Sequence, residues 1–248
     1  MSAMTGAIAS AEVAFAEQVS TPTWPADVVV LIPVYNHGST VGAVVAAARA
    51  AGAAVLVIND GSTDNSAAEA IAAGAELLSL PHNAGKGAAL AHGLAAAHAR
   101  GFARALTCDA DGQHPPEAVR MLLHAAQLEP AALWLGVRQM SSAPLASRIG
   151  RWWCNVGTWL ACGAWPRDNQ TGLRMYPLPA MSTLPIRASR YAYEVESTIR
   201  AIWSGIPLRT CAVPVLYPEN RISHFQAWRD SLRGVVACLR LMAVRPFS

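Results

Sequence analysis

Two carboxylates, Asp109 and Asp111, follow a short apolar run and stand two residues apart, a spacing that suits one divalent cation. Mg²⁺ and Mn²⁺ prefer oxygen ligands and also bind the phosphate oxygens of a substrate. Gln113 could add a neutral oxygen ligand. Such a cation would neutralise a diphosphate leaving group as a Lewis acid. The pattern predicts a metal site at Asp109, Asp111 and Gln113, although solvated turns also produce such triplets.

Three further polar clusters suit a nucleotide and its phosphates. Asp60, in Asn59-Asp-Gly-Ser62, could accept a hydrogen bond from a base or ribose, or could only cap the next helix. Pro33-Val-Tyr-Asn36 could line the same base pocket. His82-Asn-Ala-Gly-Lys86-Gly offers a flexible backbone and one cation near a helix start. A phosphate-binding loop of the form GxxxxGK[ST] and a GxGxxG after the first strand are both missing.

Apolar runs predict the strands that must position these clusters, and helices alternate with them. The predicted strands are Asp27–Pro33, Ala53–Asn59, Ala75–Leu80 and Ala103–Cys108, and the predicted helices include Ser39–Ala51 and Ala88–Arg100. This alternation favours an α/β fold with a mostly parallel, Rossmann-like central sheet and helices on both faces. Ligands bind beyond the carboxyl ends of such strands, where the polar clusters fall.

The second half of the chain has a less regular pattern. We predict helices over Arg148–Cys162 and Tyr193–Ser204, strands over Gly172–Tyr176 and Leu208–Leu216, and a terminal helix over Gln226–Met242. Residues 1–25 are interpreted as a loosely held leader. Residues 26–225 form the main domain, with a nucleotide-sugar half (26–117) and an acceptor half (118–225). Residues 226–248 are expected to form an amphipathic helix.

Charge is distributed unevenly along the 248 residues, whose formal net charge is +3. Residues 1–137 hold five Lys/Arg against eleven Asp/Glu (net −6), whereas residues 138–248 hold fourteen against five (net +9). The second half therefore favours an anionic partner, or is simply a basic surface. No nucleic-acid-binding motif accompanies the charge, so we expect no nucleic-acid partner.

Cysteine content and hydropathy indicate the compartment. The five cysteines are scattered without a CxxC pair, which predicts neither a disulfide framework nor a zinc site. No apolar stretch is long enough to span a bilayer, and residues 1–20 lack the basic residues of a secretory signal. We expect a cytoplasmic protein. The stripe Trp228, Leu232, Val235, Leu239 and Met242, flanked by arginines, could rest on the inner face of the membrane, or could pack on the core.

Taken in order, four motifs resemble those of family 2 glycosyltransferases with the GT-A fold. They are Leu31-Ile-Pro-Val-Tyr-Asn36, Ile58-Asn-Asp-Gly-Ser62, Asn83-Ala-Gly-Lys-Gly87 and Asp109-Ala-Asp-Gly-Gln-His-Pro-Pro116. The last two are most similar to those of the transferases that act on polyprenyl or dolichyl phosphate. The resemblance spans about Val28 to Tyr217.

The resemblance implies a role for individual residues. Pro33, Tyr35, Asn36 and Asp60 would line the nucleotide pocket, Lys86 would lie near the phosphates, Asp109 would face the nucleoside and sugar, and Asp111 and Gln113 would bind the metal. Gln170, Thr171, Gly172 and Arg174 would line the sugar and acceptor site. Arg138 and Arg148 match basic positions that could hold an acceptor phosphate.

The expected reaction is inverting transfer of a sugar from a UDP- or GDP-sugar, with Mg²⁺ or Mn²⁺. A hydroxyl acceptor would need a carboxylate base, for which Glu194, Glu196 and Asp168 are candidates. A phosphate acceptor, such as a polyprenyl phosphate, needs no base and would be held by arginines. Glu194 and Glu196 cannot share a helix face, so one of them is expected to enter the site.

Two other functions remain open. A nucleotidyltransferase can share this sheet, but it usually carries a glycine-rich basic segment after the first strand, where this chain has Pro33-Val-Tyr-Asn-His-Gly38. A non-catalytic nucleotide-sugar binding protein would tolerate loss of the acidic residues, and here all three of Asp60, Asp109 and Asp111 are present.

Overall fold

Seven strands form one sheet within the described part of the chain, which comprises residues 24–138, 145–188, 190, 192–216 and 227–243 of a computed structural model. The strands are β1 (Val28–Val34), β2 (Ala54–Asn59), β3 (Glu76–Ser79), β4 (Arg104–Thr107), β5 (Leu133–Arg138), β6 (Arg174–Pro177) and β7 (Leu208–Val213). The helices are α1 (Gly38–Ala50), α2 (Ser66–Ala72), α3 (Lys86–Ala99), α4 (Pro116–Gln127), α5 (Leu145–Cys162), α6 (Leu178–Met181), α7 (Ala192–Trp203) and α8 (Ala227–Ala243).

The strand order is β3-β2-β1-β4-β6-β5-β7. All neighbouring pairs are parallel except those of β6, which runs antiparallel to both β4 and β5. The predicted α/β fold with a mostly parallel sheet is thereby confirmed. Because β6 is reversed, its first residue Arg174 pairs with Thr107, the last residue of β4. The chain entering β6 therefore arrives at the edge where the parallel strands end.

The apolar run of β1 divides the core into two layers. Side chains alternate across a strand, so Val28, Val30 and Ile32 enter the core on one face of the sheet, whereas Val29 and Leu31 enter the core on the other. All five are at most 2% exposed. A strand covered on both faces requires a continuous apolar run rather than an alternating one, which is what this sequence provides.

The predicted elements of the first half match the observed ones to within two residues at nearly every end. The structure adds α4 and β5, which the sequence pattern did not predict. The leader prediction falls almost wholly on residues outside the described part of the chain.

Helix α8 occupies the predicted terminal helix and packs against α5 and α7. Of the predicted apolar stripe, Trp228 and Leu232 lie where no side chains are described. Met242 packs with buried Cys238 and Leu241 on the core, whereas Leu239 is exposed. None of the helices in the described ranges combines the length and apolar content needed to cross a membrane.

Candidate active site

The site is built at the edge of the sheet where β1, β2 and β4 end and β6 begins. The loop after β4 carries Asp109 and Asp111, and the loop after β2 carries Asp60. Lys86 opens α3, and Glu194 lies in the first turn of α7. The predicted convergence of polar clusters on one rim is observed for these residues.

Lys86 joins two carboxylates from distant parts of the chain. Its Nζ lies 2.7 Å from Asp109 Oδ1 and 2.7 Å from Glu194 Oε1. Glu194 is 1% exposed, and its Oε2 has no hydrogen-bond partner among the described residues. One ammonium group thus faces two carboxylates in a largely water-excluded position, where charge interactions are strong.

The same contacts set the pKa of each carboxyl group. Burial raises the pKa of Glu194, and the nearby Lys86 and Arg174 counteract this only in part. Burial also opposes the charge of Asp109, but Lys86, His114 and Arg138 together hold the pKa of Asp109 below its usual range. Asp109 is therefore ionised at neutral pH.

Asp111 has a different environment from Asp109. Burial and the charge of Asp109 raise the pKa of Asp111 to about 6. Asp111 makes no ion pair among the described residues, and it accepts hydrogen bonds from the backbone N–H (3.0 Å) and the side-chain amide (2.6 Å) of Gln113. A carboxylate beside another carboxylate and lacking a cation fits a divalent metal as the missing positive charge.

The protein alone offers few metal ligands here. No group of three or more His, Cys, Asp or Glu side chains in the described ranges is arranged to hold a metal ion. This donor set suits Mg²⁺ or Mn²⁺ better than zinc, because Mg²⁺ is usually bound through one or two carboxylates with phosphates and waters completing the shell. The residues present therefore fit a metal that shares its ligands with a diphosphate.

Asp60 organises the loop that carries Lys86. Its two carboxylate oxygens accept backbone hydrogen bonds from Ala84 and Gly85, both at 2.8 Å, and its side chain is buried. Gly61 has a positive φ of 67°, and a Cβ there would lie 2.6 Å from the carbonyl carbon of His82. Asp60 thus fixes the loop before α3. A direct contact of Asp60 with a nucleotide base stays a prediction.

The end of β1 is tied to the loop after β2 by side-chain hydrogen bonds. Asn36, at φ 54°, donates its N–H to Ser62 Oγ (3.1 Å) and accepts the N–H of Thr63 (2.8 Å). Asp64 Oδ2 accepts the N–H of Gly38 at the start of α1. The half-buried Pro33 and Tyr35 lie beside this network. Asn36 therefore shapes the rim, and its binding of a nucleotide stays a prediction.

Gly172 places the segment before β6 directly against Asp109. A Cβ on Gly172 would overlap both carboxylate oxygens of Asp109. The Gly172 carbonyl accepts a 2.7 Å hydrogen bond from Thr107 Oγ1 at the end of β4. Only a glycine leaves room for the carboxylate, so the predicted role of Gly172 at the sugar site gains a steric reason.

We predicted that Arg174 lines the acceptor site, but the structure gives this side chain a buried structural role. It is fully buried, and its guanidinium donates to Thr171 O, Asn169 O, Glu194 O and Thr198 Oγ1 at 2.8–3.0 Å. These bonds join β6 to α7, and the bond to Glu194 O holds the backbone of Glu194 in place. Thr171 is also fully buried, whereas Gln170 is half-buried and donates to Cys154 Sγ.

Asp168 is held too tightly to act as a base. It is fully buried and bonds Arg138 Nε (2.7 Å), Arg138 Nη2 (2.9 Å) and Arg151 Nη1 (3.0 Å). Burial opposes its charge, but these two arginines hold the pKa of Asp168 below its usual range. Arg138 is thus bound on one side by Asp168, and Arg148 is exposed on α5. Acceptor binding by Arg138 and Arg148 stays a prediction.

Glu196 has other partners than Lys86, so Glu194 is the glutamate of α7 that contacts this lysine. The Oε2 of Glu196 accepts the N–H of Ala188 (2.6 Å) and Arg187 (3.2 Å), and its Oε1 accepts from Arg200 (2.5 Å). Glu196 therefore fixes the segment before α7, and the prediction that it is a base is replaced by this structural role.

Several residues of the site were missed by the sequence reasoning. Burial lowers the pKa of His114 to about 4, so its imidazole is uncharged at neutral pH. The Nδ1 atom of His114 has no hydrogen-bond partner among the described residues. Thr40 of α1 donates a 2.6 Å hydrogen bond to Ala110 O. Arg190 backbone atoms lie within 2.7 Å of a Cβ placed on Gly87. Of these, only His114 stands within a quoted motif, Asp109–Pro116.

Several known proteins are similar to this chain in sequence. A relative from Methanococcus voltae, UDP-N-acetylglucosamine–dolichyl-phosphate N-acetylglucosaminyltransferase, is 28% identical over 153 residues (58% of this chain and 61% of the relative). Polyprenol monophosphomannose synthase of Mycolicibacterium smegmatis is 27% identical over 209 residues (78% of each chain). An uncharacterized protein of Methanocaldococcus jannaschii is 28% identical over 205 residues (79% and 84%).

Among solved structures, the fold is similar to that of glucosyl-3-phosphoglycerate synthase from Mycobacterium tuberculosis in complex with Mn²⁺, UDP-glucose and phosphoglyceric acid. The TM-score is 0.66 at 20% identity, over 87% of this chain and 79% of that one. This likeness establishes the GT-A fold. The sequence model of the family described as "Glycosyl transferase family 2" matches residues 29–174, more than half of the chain. The chain therefore belongs to glycosyl transferase family 2.

Proposed function

We propose that this protein is an inverting glycosyltransferase that moves a sugar from a UDP- or GDP-sugar to a polyprenyl phosphate, with Mg²⁺ or Mn²⁺. The observation that carries the proposal is the contact of Lys86 with both Asp109 and Glu194 beside Asp111. One cation and three carboxyl groups meet at the rim where a parallel sheet binds its ligands. Family membership makes a sugar nucleotide the donor to test first.

The donor would lie across the ends of β1 and β2. Pro33, Tyr35 and Asp60 would border the base, and the loop that Asp60 holds would bring Lys86 to the diphosphate. Lys86 would then exchange part of its contact with Asp109 for a phosphate oxygen, since an ammonium group can donate up to three hydrogen bonds. Asp109, kept ionised, would face the sugar.

Asp111 would hold the metal, with Asp109 and Gln113 as the further ligands that we propose. Gln113 Nε2 donates to Asp111, which leaves the amide oxygen of Gln113 as its acceptor and ligand atom. When bound, the cation would supply Lewis-acid stabilisation of the departing diphosphate. Around it, the chain contributes the neutral imidazole of His114 and the positive charge of Lys86.

A phosphate acceptor suits a site in which the three predicted bases, Glu194, Glu196 and Asp168, are all held in ion pairs. A phosphate oxygen is already anionic, so no proton has to be removed before it attacks the anomeric carbon. Two relatives are named as a dolichyl-phosphate N-acetylglucosaminyltransferase and a polyprenol monophosphomannose synthase. The second half of the chain is also basic. If the acceptor is a hydroxyl instead, Glu194 is the candidate base, because burial raises its pKa above the usual range and its carboxyl group faces the site.

The test is release of nucleoside diphosphate from a panel of UDP- and GDP-sugars, with Mg²⁺ or Mn²⁺. A short-chain polyprenyl phosphate, 3-phosphoglycerate and no acceptor would be compared. We expect release that requires the metal and the polyprenyl phosphate, with the glycolipid recovered with inverted anomeric configuration. Equal release with 3-phosphoglycerate would contradict the proposed acceptor.

Two variants sharpen the assay. Asp111→Asn should abolish release, whereas Asp64→Asn, which changes an exposed helix-capping contact on the same rim, should retain most of it. Release of pyrophosphate from a nucleoside triphosphate and a sugar phosphate would favour a nucleotidyltransferase. Donor binding without any release under all conditions would favour a non-catalytic binding protein.

A further inference from the structure

Helix α5 exposes its apolar face and buries its polar one. Ile149, Trp152, Trp153, Trp159 and Leu160 recur at helical spacing along one side, and each is about half exposed or more. The three tryptophans expose 52%, 53% and 52% of their surface. Such side chains on a water-facing helix lose the stabilisation that burial would give them.

The opposite side of α5 packs on the protein through polar groups. Arg151 pairs with Asp168, Asn155 donates to Arg167 O (2.7 Å), and Thr158 Oγ1 accepts from Asn169 (2.8 Å). All of these are at most 4% exposed along the helix. These polar contacts, together with the buried Cys154 and Ala161 on the same side, fix the orientation of α5. In the described part of the chain, these contacts keep the three tryptophans on the side of α5 that faces away from the protein.

Helix α8 extends this surface. It packs alongside α5, and its Leu239 is 58% exposed next to the exposed Arg240. Trp165, just beyond α5, is also exposed. We call the exposed side chains of Ile149, Trp152, Trp153, Trp159, Leu160, Trp165 and Leu239 the tryptophan face. A group of large exposed apolar side chains on two helices that pack together marks a binding surface rather than ordinary solvent exposure.

Charge identifies the partner. Arg148, Arg167 and Arg240 are exposed around the tryptophan face, while residues 139–167 and 231–248 contain no Asp or Glu. Tryptophan concentrates at membrane–water interfaces, because its ring is apolar and its N–H needs a polar partner. A basic amphipathic surface with tryptophans suits an anionic bilayer, in which it lies parallel to the membrane plane.

We propose that the tryptophan face of α5 and α8 docks on an anionic lipid bilayer and holds the active site at the membrane surface. The opposite side of the same helix reaches the site, because Arg151 and Arg138 share Asp168, and Arg138 contributes to the electrostatic environment of Asp109. This inference rests on the proposed function only in that the acceptor is a lipid phosphate. Binding to the bilayer can be measured without any donor.

The test is flotation of the purified protein with vesicles of phosphatidylcholine alone or mixed with phosphatidylglycerol. Trp152→Ser/Trp159→Ser should weaken binding to the anionic vesicles at least about tenfold, because apolar burial is lost. Arg240→Glu should weaken it several-fold, because a positive charge is replaced by a negative one. The matched control is Ile71→Ser/Leu128→Ser, which removes two exposed apolar side chains (57% and 78%) from α2 and from the end of α4 and should bind as the wild type does.

Two activity measurements separate the two proposals. With a water-soluble short-chain acceptor and no vesicles, the double tryptophan variant should keep wild-type release of nucleoside diphosphate. With a long-chain acceptor embedded in anionic vesicles, its release should fall about as much as its binding. If the wild type binds vesicles but releases no nucleoside diphosphate with any acceptor, the proposed function is overturned. The assignment of the tryptophan face as a membrane-binding surface then still holds.

Other occupants give different results. A wild type that binds no vesicles overturns the membrane assignment, whatever its activity. So does a wild-type dimer that becomes monomeric in the double tryptophan variant without any vesicle binding, because a second copy would then cover the tryptophan face. Equal binding to neutral and anionic vesicles would overturn the role of the arginines.

Discussion

Lys86 balances the charge of a carboxylate that has no access to water. Replacing Lys86 with Met should lower the free energy of unfolding by about 3 kcal/mol, because Glu194 then stays buried without its partner. Release of nucleoside diphosphate should fall about a hundredfold or more, since the cation near the diphosphate is also lost. Urea unfolding and the release assay measure the two effects.

The double variant Lys86→Met/Glu194→Gln separates these effects. Without a charge on Glu194, only the partly exposed Asp109 is left without its lysine, so much of the lost stability should return while activity stays low. If the double variant is no more stable than Lys86→Met alone, burial of Glu194 is not what makes Lys86 necessary.

Gly172 should tolerate no side chain without disturbing Asp109. In Gly172→Ala the new methyl group overlaps the carboxylate of Asp109, which must move away from Lys86 or displace the segment before β6. We expect release to fall at least about tenfold. Gly42→Ala is the control, because its Cβ would make ordinary contacts of 3.6 Å or longer with Glu69 in a helix, where alanine is favoured. That variant should keep its activity and gain stability, as thermal unfolding would measure.

Residue roles were predictable where they follow from spacing and not where they follow from packing. The sequence indicated that Glu194 and Glu196 point in different directions, because successive residues turn by about 100° around a helix. Which one enters the site depends on where Arg187 and Ala188 lie, because their N–H groups bind Glu196. Arg174 matched a motif, yet full burial gives it a structural role.

Helix α5 is joined to β5 through Asp168, which binds Arg151 of the helix and Arg138 of the strand. In Asp168→Asn both arginines lose their counterion, and the free energy of unfolding at neutral pH should fall by about 3 kcal/mol. The pKa of Asp168 is lowered in the folded protein. Its contribution is therefore present above the unfolded value, about 4, and is lost as pH falls through the folded value.

The wild type and Asp168→Asn should therefore differ most in urea unfolding at neutral pH and converge as the pH falls below about 4. Asp27→Asn is a comparison from a partly exposed pair, because Asp27 binds Arg104 at the start of β4. It should cost much less. A gap between wild type and Asp168→Asn that stays constant with pH would mean that shape, not charge, makes Asp168 necessary.

Elements were predictable where the chain alternates regularly. The strands β1 to β4 are apolar runs bounded by turn residues, and the helices between them are rich in alanine. The strand β5 reads Leu-Trp-Leu-Gly-Val-Arg, with a glycine that weakens the pattern. Gly136 is needed there because Leu173 packs within 3.0 Å of where its Cβ would be. That requirement comes from a partner 37 residues away and leaves no local signal.

At the scale of the whole molecule, donor and metal should stabilise the fold together. A ligand that binds only the folded state at about 100 times its dissociation constant adds about 2.7 kcal/mol, which raises the melting temperature by several degrees. We expect this shift with Mn²⁺ plus UDP or GDP, a much smaller one with either component alone, and little in Asp111→Asn. Thermal scans of the described variants measure it. An equal shift without Mn²⁺ would contradict the shared metal–diphosphate site.

The overall class was predictable from alternation alone, but the complete sheet was not. We predicted a nucleotide-sugar half followed along the sequence by an acceptor half. In the sheet, however, β6 of the second half lies between β4 and β5. Strand direction depends on the path taken through α5 and the segment after it, and no local pattern encodes that path.

The reversed strand also has a consequence for the order of events during synthesis. The motif Asp109–Pro116 leaves the ribosome early, but the segment that packs against Asp109 lies more than sixty residues later, and Glu194 later still. Contacts of such long range form late in folding because the intervening loop must first be closed. A nascent chain would therefore carry a paired β1–β4 sheet with unsupported carboxylates. We expect the site to be complete only when β6 has paired with β4 and β5 and α7 has brought Glu194 to Lys86.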